Sequence, residues 1–421
     1  MRGARQRVVI VGGGYAGVRV ARNLAWAVQR GVPLEVIQVS SSEHHIDTPL
    51  LYEVATAYLH HESKLSSETV QASVCVPLRD IFANLPVSVL TRRATTLNTA
   101  QRLIQFSDDT TLTYDVLVVA MGAELATYGI PGVSDFAFSV KTLPEALELR
   151  HHIVRQFHMA KKASAEKQAQ LLTFVIVGAG AAGVETAAEL KGHVNQECQK
   201  HGLDQTLPRI TLVEASPTIL RTIPATLQRF AQARLLSLGI EIKTNQPITA
   251  VESDRVLFAD GQALLARTII WTGGLKPHAL LSGSGLPALK WGVAVEPTLQ
   301  VVDEPLVYAV GDAAVLQQSP EPIPATVPVA YGQADVAAAN IVRQVMGQPL
   351  QPYQYQALGA LIAVGGKDAI AVFANNRGLT GYLPWLMKKV VGLRYWNWYL
   401  PWWQALHFWW RSIRLQSLND Q

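Results

Sequence analysis

An internal repeat constrains the fold of this chain more than any other feature of its sequence. Residues 7–25, RVVIVGGGYAGVRVARNLA, recur with the same layout as residues 172–190, LTFVIVGAGAAGVETAAEL. Each copy has an apolar run of strand type, then glycines spaced G-x-G-x-x-G, then an alanine-rich stretch of helix type. The repeat therefore predicts an α/β protein built from two strand–turn–helix units.

The glycine spacing gives both copies the same chemistry. The first glycine allows a tight turn, the second lets the backbone approach a pyrophosphate, and the third lets the helix pack on the strand. The pyrophosphate would lie on the N–H groups at the helix N-terminus. One such motif is weak evidence, but two in strand–turn–helix context predict two dinucleotide sites. The glycines are Gly12, Gly14 and Gly17 in the first copy, and Gly178, Gly180 and Gly183 in the second.

The residue that follows the second strand of each unit reads the ribose hydroxyls in such folds. In the second unit, RITLVEAS places Glu214 there, a carboxylate that would repel the 2′-phosphate of NADP, so we expect NADH. In the first unit, LEVIQVSSSEHH places Ser40 at this point, with Glu43 three residues later. Ser40 could donate to a ribose hydroxyl, or it could simply begin a loop.

Two further apolar runs complete the pattern. Residues 114–124, YDVLVVAMGAE, predict a buried strand that ends at Gly122. Residues 306–315, LVYAVGDAAV, predict a strand that ends at Gly311-Asp312 before an alanine-rich helix. An Asp at that point would ordinarily be a helix N-cap. After two nucleotide motifs, we expect Asp312 to bind a ribityl hydroxyl of a cofactor instead.

The composition excludes several other classes of protein. Only 16% of the residues are charged, 49% are hydrophobic and the net charge is +4, which fits neither a disordered chain nor a nucleic-acid-binding one. Cys75 and Cys198 are the only cysteines, too few for an iron–sulfur cluster or a cysteine zinc site. The side chains of His44 and His45 should point apart. We therefore expect no metal, and a reducing compartment.

Seven of the ten tryptophans fall between residues 385 and 410. Trp favours the bilayer interface, and cations there meet anionic headgroups. No apolar run reaches the about 20 residues of a spanning helix, so we expect two short amphipathic helices, opened by Pro384 and Pro401, lying in the interface. The alternative is that these aromatic side chains pack on the body of the protein or at a dimer contact. The accompanying cations are Lys388, Lys389, Arg394, Arg411 and Arg414, and Asp420 is the only acid beyond residue 379.

Together these segments resemble the two-dinucleotide-binding-domain flavoproteins, and within that group the type II NADH:quinone oxidoreductases. The resemblance covers essentially the whole chain. It implies two Rossmann-like domains, an FAD-binding domain of residues 1–141 and 269–345 with an inserted NADH-binding domain of residues 142–268. A membrane-associating region with C-terminal amphipathic helices, residues 346–421, follows. The closer match lies in HIDTPLLYEVAT (residues 45–56), Gly183-Val184-Glu185, Trp271-Thr272-Gly273-Gly274, Gly311-Asp312 and the tail.

The resemblance also implies the residues of the sites. Glu185 would lie near the nicotinamide and the flavin, where family members carry a glutamate implicated in the reaction. The alternative for Glu185 is a buried carboxylate with no role in the rate. Thr48 and Pro49 would lie against the isoalloxazine. The other residues implied around FAD are Tyr15, Ala16, Ser40, His45, Ala120, Gly122, Gly311, Asp312, Val329 and Ala330, and those around NADH are Ala182, Glu214, Gly273 and Gly274, each set with its glycine motif.

The sequence departs from the family at the quinone site. Family members usually carry A-Q-x-A-x-Q-Q there, whereas this chain has VPVAYGQ in residues 327–333. Pro328 and Gly332 stand where the first two glutamines are expected, and only Gln333 remains. Because Pro has neither a side-chain donor nor an N–H, one quinone contact is missing, and Tyr331 could supply a hydroxyl and a stacking face instead.

By this resemblance the chain is an enzyme that oxidises NADH through FAD and reduces a membrane quinone by two electrons without pumping protons. We expect a peripheral protein on the cytoplasmic side of the cell inner membrane, with a homodimer left open. The altered glutamine stretch keeps a second interpretation open, a reductase of a naphthoquinone biosynthetic intermediate or of a soluble one-electron carrier. A third is a redox-sensing protein that binds FAD and NADH as ligands. Hydride transfer belongs to the cofactors, so we expect no Ser/His/Asp triad.

Overall fold

The computed structural model of the chain describes residues 5–58, 67–317 and 323–417. The helices in chain order are α1 (Tyr15–Gln29), α2 (Leu51–Thr56), α3 (Ser67–Ala72), α4 (Leu78–Ile81), α5 (Val133–Phe136), α6 (Leu143–Ala160), α7 (Ala165–Leu171), α8 (Ala181–His201), α9 (Ala225–Ser237), α10 (Val327–Val345), α11 (Tyr382–Tyr399) and α12 (Trp402–Gln416). Short 3-10 turns cover Thr48–Leu50, Ala279–Leu281 and Gly311–Ala313.

The strands follow the same order. They are β1 (Gln6–Val11), β2 (Leu34–Ser40), β3 (His44–Ile46), β4 (Cys75–Pro77), β5 (Val87–Thr91), β6 (Ala94–Asn98), β7 (Leu103–Phe106), β8 (Thr111–Thr113), β9 (Val116–Val119), β10 (Ala123–Leu125), β11 (Thr173–Val177), β12 (Arg209–Val213), β13 (Ile240–Lys243), β14 (Ile248–Glu252), β15 (Arg255–Phe258), β16 (Ala263–Leu265), β17 (Thr268–Trp271), β18 (Leu275–Pro277), β19 (Ala288–Leu289), β20 (Gly292–Val295), β21 (Gln300–Val301), β22 (Glu304–Ala309), β23 (Ala314–Leu316), β24 (Ala360–Ala363), β25 (Ala369–Val372) and β26 (Gly378–Gly381).

The chain packs into two compact units. The first unit comprises residues 1–46, 75–124 and 275–356, and the second comprises residues 47–74, 125–274 and 357–421. The tail and the segment that begins at residue 47 thus pack with the second glycine repeat. Which cofactor each predicted domain binds remains a prediction, but the predicted α/β class with two strand–turn–helix units is confirmed.

The first unit is built around a parallel sheet with β1 near its centre. β1 pairs in parallel with β2 and β9, with Val8 opposite both Val36 and Val116, and the order continues as β22-β9-β1-β2-β5. The apolar run Val8–Val11 is at most 5% exposed, as expected for a strand covered on both faces. Helices α1 and α10 pack against each other in this unit.

The second unit repeats this plan on a smaller scale. Its parallel sheet has the order β13-β12-β11-β17, and the antiparallel strands β14, β15 and β16 form a separate sheet. A third sheet, β24-β25-β26, leads into α11. Helix α8 follows β11 directly after the second glycine motif, as α1 follows β1 after the first. Both predicted strand–turn–helix repeats are therefore present.

The turn after β22 differs from the prediction. Gly311-Asp312 opens a 3-10 turn, Gly311–Ala313, which is followed by strand β23 and not by a helix. The alanine-rich helix, α10, begins only at Val327. The expectation of a helix immediately after Asp312 was wrong because β23 pairs in parallel with β20, and this sheet pairing overrides the local helix preference of Ala314.

The tail forms two helices, as predicted, but its aromatic side chains do not all face outward. Trp396 is fully buried, with its ring centroid 4.1 Å from that of Phe408 on α12. Trp409 Nε1 donates to the carbonyl oxygen of Lys389 (2.6 Å). By contrast Trp402 is 68% exposed. No helix in the described part of the chain is long and apolar enough to cross a membrane.

The interfacial role predicted for the tail's cations was wrong for two of the five. The side chain of Lys388 is only 15% exposed and pairs with a carboxylate, and Lys389 is 6% exposed with Nζ 4.8 Å from the centroid of the Trp385 ring. The apolar residues of α12 also differ in burial, because Ala405 is buried and Trp402 is exposed.

Within each glycine motif, the second and the third glycine have different physical roles. A Cβ on Gly17 would lie 1.9 Å from the carbonyl oxygen of Gly12, and one on Gly183 would lie 1.8 Å from that of Gly178. These distances are far below van der Waals contact, so the helix packs on the loop only because glycine stands there. A Cβ on Gly14 would meet nothing within 4 Å, which is the open space a pyrophosphate needs.

We expect Gly17→Ala and Gly14→Ala to separate folding from cofactor binding. Gly17→Ala should lower the free energy of unfolding of the apoprotein by about 3 kcal/mol, because its new methyl group overlaps backbone. Gly14 has φ −80° and ψ −169°, which alanine adopts freely, so Gly14→Ala should leave that stability nearly unchanged and weaken flavin binding. Urea unfolding and flavin absorbance measure the two effects, and equal losses of stability would contradict the assignment.

Candidate active site

Side chains from neighbouring strands hold the first glycine loop in place. Gln38 Nε2 donates to the carbonyl oxygen of Gly12 (2.8 Å), and His45 Nδ1 lies 2.9 Å from the carbonyl oxygen of Gly13. A Cβ on Gly13 would lie 2.6 Å from Ser40 Oγ. Ser40, at the end of β2, thus lies against the loop where the sequence predicted a ribose contact.

His45 is a structural member of this loop. It is fully buried, and its ring meets that of Tyr15 edge to face with the centroids 5.0 Å apart. Burial lowers the pKa of His45 to about 4, against the weaker opposing effect of the Gly13 carbonyl. A neutral ring then donates Nδ1–H to Gly13. His44 is less buried than its neighbour His45 in β3. The described residues contain no group of three or more side chains that could hold a metal ion.

Glu214 takes the corresponding position in the second unit. It follows β12, and its Oε2 accepts from the backbone N–H of Ala179 between the glycines Gly178 and Gly180 (2.8 Å). Its Oε1 accepts from the N–H of Ser216 (2.9 Å). The carboxylate is thereby fixed beside the glycine loop, where it can face a ribose.

The remaining residues predicted around the second loop lie nearby in the same unit. Ala182 is exposed in the first turn of α8. A Cβ on Gly178 would lie 3.1 Å from Gly273 Cα, so these two backbones touch. Gly274 has φ +75°, and a Cβ there would overlap the hydroxyl of Tyr128. A side chain at Gly273 or Gly274 would crowd the loop.

The unit that contains the first glycine loop has a cavity of about 670 Å³. Gly311, at φ +68°, donates its N–H to Gln333 Oε1 (2.7 Å), and Asp312 follows it in the cavity wall. A Cβ on Gly311 would lie 3.2 Å from that of Ala16 and 3.7 Å from that of Ala330. The cavity is lined by Ala123, Leu275, Leu289, Trp291, Gly311, Asp312, Ala314, Val315, Leu316, Gln317, Ile323, Pro324, Ala325, Val329 and Gln333.

Ala120 and Gly122 frame the same unit from β9. The N–H of Ala120 donates to Val11 (2.9 Å), and a Cβ on Gly12 would lie 2.2 Å from the carbonyl oxygen of Ala120. Gly122 has φ +73° with nothing within 4 Å of an added Cβ. The chain therefore leaves β9 close to the first glycine loop and beside open space.

The first two turns of α10 carry the altered glutamine stretch. Pro328 lies in the first turn, where a missing N–H costs nothing. Gln333 is buried, and its oxygen already accepts from Gly311. The guanidinium carbon of Arg19 lies 4.6 Å from the centroid of the Tyr331 ring, and Arg19 binds Asp335 through two bonds of 2.7 Å. Tyr331 thus has one face against a fixed cation.

Glu185 is engaged by a residue from the tail. It is 9% exposed, and its Oε1 accepts from Lys388 Nζ (2.5 Å) and from the N–H of Ala363 (3.1 Å). Lys388 also donates to the hydroxyl of Tyr52. Within the second unit, the Glu185 carboxylate thus has both an ion-pair partner and a backbone hydrogen bond.

Sequence reasoning missed Lys388 and Tyr52. Lys388 is 203 residues from Glu185 in the chain, so no local spacing could connect them, and its basic surroundings favoured an interfacial role. Tyr52 lies inside TPLLYE, the run that carried the family resemblance, and this was the available signal. Thr48 and Pro49, from the same run, are exposed in the turn that precedes α2.

Neither cysteine is placed for redox chemistry. Cys75 and Cys198 are both buried and free of disulfide bonds. Burial raises the pKa of the Cys198 thiol to about 11, so it is a poor nucleophile at neutral pH.

The loops and the cavity fit two dinucleotides. Each loop leaves open space at its second glycine, and each presents the N-terminus of a long helix to that space. Neither N-terminal turn carries an acidic residue that would repel a pyrophosphate. The chain thus has the surroundings expected for FAD in one unit and NADH in the other.

The chain belongs to the pyridine nucleotide-disulphide oxidoreductase family, which it matches over residues 6–334. It is 29% identical over 395 residues to the type II NADH:quinone oxidoreductase of Staphylococcus aureus strain MSSA476, covering 93% of this chain and 95% of the relative. The same protein of strain NCTC 8325 gives the same identity and coverage. These relatives confirm the family resemblance found in the sequence.

Solved structures share the fold. The NDH2 of Plasmodium falciparum in complex with NADH has a TM-score of 0.84 at 18% identity, with 99% of both chains covered. The sulfide:quinone oxidoreductase of Aquifex aeolicus has a TM-score of 0.74 at 20% identity, covering 93% of this chain and 91% of that one. Both likenesses concern the fold, which in the first case extends through the tail.

Proposed function

We propose that this chain oxidises NADH with FAD as its cofactor and passes two electrons to a membrane quinone, without pumping protons. The observation that carries this is that one chain has two dinucleotide loops and also a buried Glu185–Lys388 ion pair. Similarity to type II NADH:quinone oxidoreductases over 93% of the chain supports the same reaction. The balanced reaction consumes one NADH, one quinone and one proton, and yields NAD⁺ and the quinol.

FAD, when bound, would supply the chemistry of hydride acceptance and electron transfer. The chain's own part is to bind and orient. In our proposal Thr48 and Pro49 face the isoalloxazine, and the 3-10 turn at Gly311-Asp312 binds the ribityl chain. The remaining FAD-binding residues are Gly12, Gly14, Tyr15, Ala16, Gly17, Ser40, His45, Ala120, Gly122, Val329 and Ala330.

NADH binds the second unit in this proposal. Its pyrophosphate lies on the N-terminus of α8 at Gly178–Gly183, with Ala182 in the first turn and Gly273 and Gly274 opposite. Glu214 accepts from the ribose hydroxyls, since its position beside the loop is fixed by two backbone N–H groups. A 2′-phosphate would place a second negative charge against this carboxylate.

Glu185, Tyr331 and Gln333 are the catalytic residues in this proposal, with Glu185 near the nicotinamide and the flavin. Lys388 and the N–H of Ala363 hold the Glu185 carboxylate in one orientation, which suits a group that exchanges a proton at a defined atom. Tyr331 offers a ring and a hydroxyl in place of the glutamine that Gly332 and Pro328 do not supply. Gln333 keeps the Gly311 turn in shape through its oxygen.

The tail attaches the protein to a membrane surface in this proposal, on the cytoplasmic face of the cell inner membrane. Trp403 and Trp410 are 57% and 62% exposed, together with Trp402. An isolated protein in water rarely exposes so many large apolar side chains on two adjacent helices. Arg394, Arg411 and Arg414 are exposed and can meet anionic headgroups. A homodimer would present two such tails.

The tail also exposes apolar residues other than tryptophan. On α11 the exposed apolar residues include Tyr382, Leu383, Leu386, Val390 and Val391, and on α12 they include Trp402, Trp403, Leu406 and Trp410.

The proposed reaction is tested by anaerobic NADH titration of the flavin, followed by turnover with benzoquinones and naphthoquinones. We expect NADH to bleach the flavin and quinone to restore it. Glu185→Gln should keep its FAD and lose about a hundredfold in quinone-dependent kcat. Glu252→Gln, an exposed glutamate of the same unit, is the control. Rapid bleaching of the flavin by NADH with no turnover on any quinone would contradict the proposal and favour another acceptor.

Glu214 should determine the choice of dinucleotide. We expect Glu214→Gln to raise kcat/KM for NADPH relative to NADH by about tenfold, because the amide removes the charge that opposes the 2′-phosphate. Steady-state kinetics with both nucleotides measure the ratio. The amide oxygen can still accept from Ala179, so the loop should keep its shape. An unchanged ratio would show that Glu214 does not face the ribose.

The exposed tryptophans should drive membrane attachment. Replacing Trp402, Trp403 and Trp410 together by Ser should release the protein from anionic lipid vesicles in a sedimentation assay, while the fold is retained. Trp291→Ser, a change at an exposed tryptophan of the first unit, is the matched control and should still sediment. If the triple variant sediments as the wild type does, the tail is not the attachment site.

A further inference from the structure

The Lys388 ammonium makes a second set of contacts that the proposed reaction does not use. It donates to the hydroxyl of Tyr52 as well as to Glu185, and Nζ lies 4.8 Å from the centroid of the Tyr52 ring. Tyr52 itself is only 3% exposed. One buried cation is thus held by a carboxylate, a hydroxyl oxygen and an aromatic face.

The Tyr52 hydroxyl is suited to accept from a cation. Burial, and then the carboxylates of Glu185, Glu53 and Glu189, raise the pKa of Tyr52 well above its usual value near 10. The phenol is therefore neutral in the physiological range. Its own proton is hydrogen-bonded to Glu53, which leaves the oxygen lone pairs for Lys388.

The short helix that carries Tyr52 is fixed at its C-terminal end. Helix α2 has six residues, too few to be stable without tertiary contacts. His193 Nδ1 lies 2.9 Å from the carbonyl oxygen of Thr56, and Arg150 Nε donates to that of Ala57 (3.0 Å). The orphan carbonyls at the helix end thus have partners, and α2 cannot shift along its axis without breaking them.

Helix α8 fixes the positions of both partners of Lys388, Tyr52 and Glu185. His193 and Glu185 are residues of α8, two helical turns apart. Through His193, α8 sets the position of α2, and directly it sets the position of the carboxylate. Tyr52 and Glu185 are therefore held at a fixed separation, into which the Lys388 ammonium fits.

We propose that Tyr52 is a positioning residue, which holds the Lys388 ammonium against Glu185 so that the carboxylate keeps one orientation during turnover. The inference rests on the proposed catalytic role of Glu185 and deepens it, by naming the residue that keeps its partner in place. Tyr52 acts through Lys388 and not on the quinone itself.

Loss of the Tyr52 oxygen has a definite electrostatic consequence. Burial lowers the pKa of Lys388, and the carboxylates of Glu185, Glu53 and Glu189 outweigh that effect, so the net pKa is raised. Without the hydroxyl, burial remains while one acceptor is gone, and the pKa of Lys388 falls. Other titratable groups on the helices packed here include Glu53, Glu189, the neutral His193, Arg150 bonded to Ala57, Lys389 over Trp385, and the exposed Arg394, Arg411 and Arg414.

A double-mutant cycle tests this with the full-length, FAD-loaded protein. Tyr52→Phe keeps the ring and removes only the hydroxyl, while Lys388→Met removes the cation. We expect Tyr52→Phe to lower quinone-dependent kcat about tenfold and to move the alkaline limb of its pH profile to lower pH. In the Lys388→Met background the same change should have no further effect.

A second readout does not depend on activity. Acetic anhydride acylates only neutral amines, so the labelling rate of Lys388, followed by mass spectrometry with Lys243 as internal standard, reports its ionisation. We expect labelling about tenfold faster in Tyr52→Phe. Tyr58→Phe makes the same chemical change six residues along the chain, at another buried tyrosine, and should alter neither labelling nor kcat.

The outcomes separate the two proposals. If Glu185→Gln lowers turnover but Tyr52→Phe leaves the pH profile and the Lys388 labelling unchanged, the positioning role is overturned and the proposed function stands. If Glu185→Gln turns over like the wild type, the role of Glu185 fails, and the positioning role with it. Additive losses in the double variant would also overturn it. Should Tyr52→Phe not fold, Tyr52→His takes its place, because its ring nitrogen can accept from Lys388. Lys388 should then be labelled at the wild-type rate, and faster labelling would overturn the positioning role.

Discussion

Both compact units depend on one close contact between backbone atoms, at the point where a helix begins after a parallel strand. At Gly17 and Gly183 an added Cβ would lie within 2 Å of the carbonyl oxygen of the first glycine in the loop. The contact brings the helix N-terminus down onto the loop and fixes its direction. Everything that α1 and α8 carry further along, including the polar residues of the sites, is placed by that contact.

Helix α8 shows how far this placement extends. Glu185, Glu189, His193 and Glu197 follow one another at intervals of four residues and are all at most 9% exposed. Residues four apart lie on one side of a helix, so the glycine contact at the start aligns a buried polar stripe about three turns long. One end of this stripe binds the tail through Lys388, and its middle binds α2 through His193. A small displacement at Gly183 would be passed to both.

The parts of the site that could be predicted from the sequence are those within one loop or one strand end. The glycines, Ser40, Glu214 and Asp312 are each defined by their distance from an apolar run, and the structure places each of them beside its loop or cavity. Lys388 could not be predicted in its role, since it comes from a helix 203 residues away. The helix expected after Asp312 failed for a related reason, because pairing of β23 with β20 is a contact between distant segments.

The tail satisfies two requirements that its composition does not separate. A run of Trp, Lys and Arg predicts an interfacial helix, yet Trp396, Lys388 and Lys389 are turned inward. What distinguishes them is the partner available at each position, since Lys388 finds a carboxylate and a phenol within the protein and Arg394 finds none among the described ion pairs. A cation with an internal partner keeps its charge when buried, whereas a cation without one has to stay hydrated. The exposed charge of the tail is therefore carried by the arginines, and the two lysines belong to the interior of the second unit.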